Sequence, residues 1–246
     1  LSNLLRTKGE HLFGVGNQSN PSQHLPGGVK YYSYDIRNTE KITDLIKSQK
    51  IDHVYNLASQ SSVAQSFLEP EKTHEINALA VRNLLTSIFH DEGNSDLRFF
   101  QASSSEMFGN TLEVPQNENT QFNPRNIYGV SKVSAHLLMK YYREYQGMYT
   151  CSGILYNHES PRRTDLYVTQ KVIQGLKSGQ CFSIGNLDVR RDWGHAKDYV
   201  EALWLMLQQE QPDDYVVATG TTYSVRDIIE LTAAKLNQHV VWSGQG

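Results

Sequence analysis

A chain of 246 residues, 39% hydrophobic and 20% charged, is long enough for one α/β core with a smaller appendage and has the make-up of an ordinary globular protein. A formal net charge of -3 argues against general attraction to nucleic acid, so an anionic ligand has to be held by local cations. Two cysteines, Cys151 and Cys181, make neither a disulfide framework nor a metal-binding spacing, and with no membrane-length apolar run or signal peptide in view the expectation is a cytoplasmic protein with no membrane partner.

In chain order, Leu1, Leu4 and Leu5 have helical spacing, Gly9 is placed to cap that helix, and His11 to Val15 reads as a short strand. A helix at residue 1 and an ending in VVWSGQG imply a chain truncated at both ends, since a fold of this kind opens on a strand and a glycine-rich turn. Asn17 to Gly28 is a polar loop, Val29 to Tyr34 a strand ending at Asp35, Thr39 to Gln49 a helix, and Ile51 to Ser59 a buried parallel strand. Glu71 to Glu92 places Ile76, Leu79, Ala80, Leu84 and Ile88 at recurring helical positions, and Leu97 to Ala102 is the next strand. Alternation of short strands and longer helices predicts an α/β, Rossmann-like, doubly wound parallel sheet.

That strand leads into Ser103, Ser104 and Ser105 with Glu106 just beyond, and NIYGVSKVSAH then opens a helix running to about Tyr145. Tyr128 and Lys132 are four residues apart and so share a helix face. An ammonium beside a phenol favours the phenolate, which makes Tyr128 a candidate base. A surface pair with no chemistry has the same spacing. The catalytic reading gains from the serine cluster and acid, because such sheets place their chemistry at the carboxyl ends of strands.

Cys151 to Tyr156 is a strand that empties into NHESPRR, Asn157 to Arg163; Asp165 to Ser178 is a helix and Gly185 to Trp193 a loop. His195 to Gln209 is an amphipathic helix, Tyr215 to Ala218 a strand, and Ser224 caps a helix to Leu236. The expected division is a cofactor domain over 1–156 and a small substrate region over 157–246, with segments around 190–220 returning to the first.

No G-x-x-G-x-x-G cradle is present: Gly14 and Gly16 follow the wrong strand. Asp35, Leu57, Ala58, Ser59 and Asn77 are candidate dinucleotide contacts, each with an equally good reading as turn or packing detail. Arg162, Arg163, Arg190 and Arg191 suit a diphosphate, with solvated surface charge as the alternative. His158 and His195 lack metal-ligand spacing, and Asp188 and Asp192 read as partners of neighbouring arginines.

Glu106, Tyr128, Lys132, NHESPRR and RRDWGHAKDYVEA together resemble the GDP-mannose 4,6-dehydratases, extended short-chain dehydrogenases/reductases, from Tyr34 to Leu236. The resemblance implies Tyr128 and Lys132 as the catalytic pair, Glu106 as the base, and Ser104 where the family usually has threonine. It implies Asp35, Ile36, Leu57, Ala58, Gln60 and Asn77 at the cofactor, and Asn157, Val168, Lys171, Gly185, Asn186 and Arg191 at a GDP-hexose. Where the family grips the 2'-phosphate with two arginines this chain reads Gly16, Asn17 and Gln18, so the implied cofactor is NADP with NAD as the alternative. A homo-oligomer, dimer or tetramer, is implied as well. Rival readings are another dehydratase, epimerase or reductase of the same family, of which a plain epimerase or reductase has no use for Glu106, or a non-catalytic binding protein on this fold.

Overall fold

The computed structural model describes residues 1–90 and 96–244. Its elements run α1 (Ser2–Thr7), β1 (Phe13–Gly16), β2 (Lys30–Ser33), α2 (Thr39–Gln49), β3 (His53–Asn56), α3 (Val63–Leu68), α4 (Pro70–His74), a π turn (Glu75–Leu79), α5 (Ala80–Phe89) and β4 (Arg98–Ser104). A 3-10 turn (Ser105–Met107) leads to α6 (Ile127–Gln146), β5 (Tyr149–Leu155), β6 (Asn157–Glu159), α7 (Val168–Ser178), β7 (Arg190–His195), α8 (Ala196–Met206), β8 (Asp214–Val217), β9 (Thr222–Ser224) and α9 (Val225–Lys235). The chain forms two compact units, one of Leu1–Leu155 with Val200–Val217, the other of Tyr156–Tyr199 with the chain from Ala218 onward.

In the first unit β1 and β2 pair in parallel, and β3-β4-β5-β8 form a four-stranded parallel sheet. The central strand β4 explains why both faces are covered. Successive side chains of a strand point to opposite faces. Phe99 therefore packs among Ile42 and Ile46 of α2, Val81, Leu84 and Leu85 of α5, and Ala135 and Met139 of α6, whereas Phe100 packs with Cys151, Leu203, Met206 and Leu207. Both phenylalanines are fully buried, and truncating either to alanine removes about 3–5 kcal/mol. A strand buried on both faces loses the polar alternation of a half-exposed one, which is why this stretch reads as a continuous apolar run.

The second unit holds a three-stranded sheet, β6 and β7 parallel and β7 and β9 antiparallel. Val172 of α7 packs there against Val225 and Ile229 of α9. Ser224 caps α9 in a reciprocal box with Asp227, as its position before an apolar run implies.

Several boundaries differ from the sequence reading. The helix expected from Glu71 starts earlier: Ser62 caps α3, Pro70 opens α4 as its first residue, and a π turn precedes α5. Its expected end at Glu92 lies outside the described residues, as do the last two residues of the C-terminal VVWSGQG. The stretch from Arg190 to His195, expected as loop up to Trp193 and then as the start of a helix, is strand β7; the alternate burial of Asp192 is masked in the sequence by flanking charges. Three-residue strands β6 and β9 are too short to show a period, and α7 begins at Val168 after a turn in which the Tyr167 amide donates to the Thr164 carbonyl at 3.3 Å. Among the described residues no helix is long and apolar enough to cross a membrane, and no cluster of His, Cys, Asp and Glu is arranged to hold a metal ion.

Candidate active site

The first unit brings Ser104, Glu106, Tyr128 and Lys132 together where β4 ends and α6 begins. Ser104 closes β4 in extended conformation and its hydroxyl accepts from the Glu106 amide at 3.2 Å, which turns the chain sharply after the strand. The half-buried Glu106 carboxylate accepts a 3.0 Å hydrogen bond from the Asn126 side-chain amide. Asn126 is also the N-cap of α6, its carbonyl oxygen accepting from the Gly129 amide at 2.7 Å. One asparagine thus starts the helix and aims the acid. Gly129 permits the close approach, since a Cβ there would lie 2.7 Å from the Glu106 carbonyl oxygen.

Lys132, 2% exposed, donates to the Ala102 carbonyl at 2.9 Å, and its ammonium nitrogen sits 5.7 Å from the Tyr128 ring centroid. Burial lowers the lysine pKa to about 8, because the charged form loses water that one carbonyl does not replace. It remains mostly cationic at neutral pH. A buried cation, a phenol, a hydroxyl and a carboxylate at one strand end form a set able to take, hold and return protons on a bound alcohol or ketone.

Asp35, Ile36, Leu57, Ala58 and Gln60 line one cleft of about 1200 Å³ in the first unit, together with Gly14, Gly16 and Ser59. Its size and its mixture of apolar and polar lining fit a dinucleotide. Asp35 is gripped by Arg37, whose Nε and Nη2 donate to its two oxygens at 2.9 Å each, and this contact holds the carboxyl below its usual range. Asn56 orders the following loop by accepting from the Ala58 amide at 3.1 Å.

Asn77 stands behind the cleft loop rather than in the cleft lining. It is 1% exposed, its amide donates to the Gln60 carbonyl and the Ser131 hydroxyl, both at 3.0 Å, and its oxygen accepts from Ser59 and from the Gln60 amide. These contacts engage both its donors and both acceptor positions with protein groups. It braces the cleft loop against α6, where Ser131 in turn donates to the Tyr128 carbonyl at 2.7 Å.

The second unit carries the remaining candidates. Asn157 lies on β6 opposite Trp193, Val168 and Lys171 share the first turns of α7, and Asn186 holds a turn by accepting from the Asp188 amide at 2.9 Å, beside exposed Gly185. Arg191, half-buried on β7, donates to the Arg190 carbonyl at 3.0 Å. Asp192, expected to pair with a neighbouring arginine, has other partners among the described residues: β7 buries it, and its carboxylate accepts from the Thr219 amide and hydroxyl and the Gly220 amide. Asp188 faces Arg226 at 3.8 Å rather than a sequence neighbour. His158 stacks on Tyr199 with centroids 4.5 Å apart, and Arg163 pairs with Glu159 at 3.4 Å over the Tyr167 ring.

Sequence reasoning missed Asn126 and Ser131. The first had a signal, an asparagine at the start of a helical period; the second had none, because its partner Asn77 is 54 residues away.

The sequence model of one family, GDP-mannose 4,6 dehydratase, matches residues 6–246. The chain is 46% identical over 217 residues to GDP-mannose 4,6-dehydratase of Vibrio cholerae, covering 86% of this chain and 58% of that protein. It is 41% identical over 245 residues to GDP-mannose 4,6 dehydratase of Drosophila melanogaster, covering 98% and 61%. The chain thus spans about three fifths of the length of these curated relatives. Among solved structures it resembles the NAD complex of UDP-glucose 4-epimerase from Thermus thermophilus with a TM-score of 0.84, 22% identity, and coverage of 96% and 79%.

Proposed function

We propose, from the premise that this chain belongs to the GDP-mannose 4,6-dehydratase family, that it carries the conversion of GDP-mannose to GDP-4-keto-6-deoxymannose by internal hydride transfer and loss of water. The observation that carries the reading is Glu106, a carboxylate aimed by Asn126 beside the Ser104, Tyr128 and Lys132 set. An epimerase or reductase performs no elimination and has no work for it.

A nicotinamide dinucleotide, placed here in the cleft lined by Asp35, Ile36, Leu57, Ala58 and Gln60, supplies acceptance of hydride from C4 and its return at C6. Tyr128, as phenolate beside the Lys132 ammonium, takes the proton of the C4 hydroxyl while Ser104 holds that oxygen. The C4 ketone acidifies C5. Glu106 removes the C5 proton and passes it to the C6 hydroxyl, which leaves as water. Tyr128 then returns its proton at C5, so atoms and electrons balance with no net redox change.

Further parts of the proposal follow the same residues. Unit one takes the cofactor, and unit two takes the GDP-sugar through Asn157, Val168, Lys171, Gly185, Asn186 and Arg191. The cofactor is NADP, as the family resemblance implies, and NAD is accepted because Gly16, Asn17 and Gln18 offer a 2'-phosphate no cation. The protein works in the cytoplasm as a dimer or tetramer; Val130, Leu137, Tyr141 and Tyr145 form an exposed apolar stripe along α6 suited to self-association, which light scattering tests directly. For the activity itself, the full-length protein is incubated with a panel of GDP- and other nucleotide-sugars and the products are weighed by mass spectrometry. Loss of one water from GDP-mannose is the expected result; a product of unchanged mass refutes the dehydratase reading.

A further inference from the structure

Tyr128, Lys132 and His136 follow one another at intervals of four along α6 and so lie on one face. The first two have roles above, and His136 has none, yet it is only 4% exposed. Its Nδ1 lies 3.3 Å from the Ser103 hydroxyl of β4, and its Nε2 lies 3.6 Å from Oδ2 of Asp214 on β8. Arg143 donates to both Asp214 oxygens at 2.6 and 3.1 Å, and the Phe122 ring meets the imidazole edge-on with centroids 5.0 Å apart. The Ser103 hydroxyl bonds Nδ1 as donor or acceptor according to the ring's tautomer, and Nε2 faces the Asp214 carboxylate beyond hydrogen-bond length. Burial favours the neutral ring, Asp214 opposes this, and Arg143 and Lys140 reinforce it.

Serine, histidine and aspartate at one place have the make-up of a nucleophilic triad, but the 3.6 Å from Nε2 to Asp214 is too long for the hydrogen bond that orients the histidine of such a triad. The consequence is positional. Ser103 stands between Ala102, whose carbonyl accepts from Lys132, and Ser104. Two successive residues of β4 are thereby pinned to two successive turns of α6.

We propose that His136 is a positioning residue which, through Ser103, keeps the end of β4 with Ser104 and Glu106 in register with Tyr128 and Lys132. Its effect on turnover rests on the dehydratase reading; its effect on Lys132 does not.

The test uses the full-length protein carrying His136→Phe, which removes both polar contacts and keeps a ring for Phe122, and His136→Gln, which restores an acceptor. Without substrate, the Lys132 titration is followed by NMR of 13C-labelled lysine side chains, with thermal melting as the check on folding. Lys132 owes its pKa of about 8 to burial. Loosening the pin admits water, so His136→Phe moves the midpoint up by about one pH unit or more while His136→Gln stays near the parent. With GDP-mannose, single-turnover reduction of the nicotinamide falls about tenfold in His136→Phe and in Ser103→Ala, and the double variant falls no further, because the two act as one unit. NADPH affinity stays within about twofold. A Lys132 titration in folded His136→Phe that matches the parent overturns the proposal, and so do additive losses in the double variant. A shifted Lys132 in a protein that never reduces its nicotinamide with GDP-mannose supports the positioning role and sinks the dehydratase reading instead. Should His136→Phe fail to fold, Ser103→Ala, which removes one hydroxyl, carries both measurements.

Discussion

Replacing Glu106 with glutamine separates elimination from oxidation. The glutamine oxygen accepts the same 3.0 Å hydrogen bond from Asn126, and the half-buried amide nitrogen reaches solvent, so the fold loses at most about 1 kcal/mol. The chemistry loses its C5 base, and a positioned proton-transfer group is worth about a hundredfold or more, roughly 2.7 kcal/mol of barrier. The catalytic loss therefore exceeds the structural one, and the variant accumulates reduced nicotinamide that the parent reoxidises. Tyr128→Phe is the contrast, since it blocks the first hydride transfer and leaves the nicotinamide oxidised. The assay is stopped-flow absorbance of reduced nicotinamide after mixing enzyme, cofactor and GDP-mannose, paired with solvent deuterium incorporation at C5. If Glu106→Gln exchanges C5 and releases 6-deoxy product at the parent rate, the carboxylate is a helix-start ligand and nothing more.

Three further outcomes are expected. Lys132 has a folded pKa lowered to about 8 from 10.5, so between those values the unfolded chain binds the extra proton and stability rises with pH. The gain is at most roughly 3 kcal/mol, and urea melts from pH 7 to 10 find it in the parent and not in Lys132→Met; equal pH dependence in both refutes the buried-cation argument. Gly129→Ala forces a Cβ to within 2.7 Å of the Glu106 carbonyl oxygen, and the helix start yields at about 1–3 kcal/mol, read as a lower melting temperature together with lost turnover; an unchanged melt contradicts the close packing. Calorimetric titration with NADPH and NADH gives a preference below about a hundredfold, because one missing charge-assisted contact removes roughly 1.5–3 kcal/mol, whereas a larger preference means that a cation other than residues 16–18 holds the phosphate.

Periodicity in the sequence was enough to name the class and the central pair. Apolar runs of strand length alternating with helix-length periods determine a parallel α/β sheet, and the four-residue interval determines that Tyr128 and Lys132 share a face whatever else happens. Asn126 carried a local signal that the sequence reading passed over, because capping is a hydrogen bond between residues three apart. Strands β6, β7 and β9 were not: each is stabilised by partners far along the chain, and six residues rich in arginine, aspartate and histidine carry no period to show it. Asn77 is the clearest case of what folding alone decides. As a sequence position it is a polar residue on a helix near the cleft loop; the π turn and the packing of α6 bring four hydrogen bonds from Ser59, Gln60 and Ser131 to its amide, so that it braces that loop. Glu106 shows the same division, since a carboxylate after a serine cluster is visible in the letters, but its aim comes from an amide 20 residues later that reaches it only once β4 and α6 have packed together.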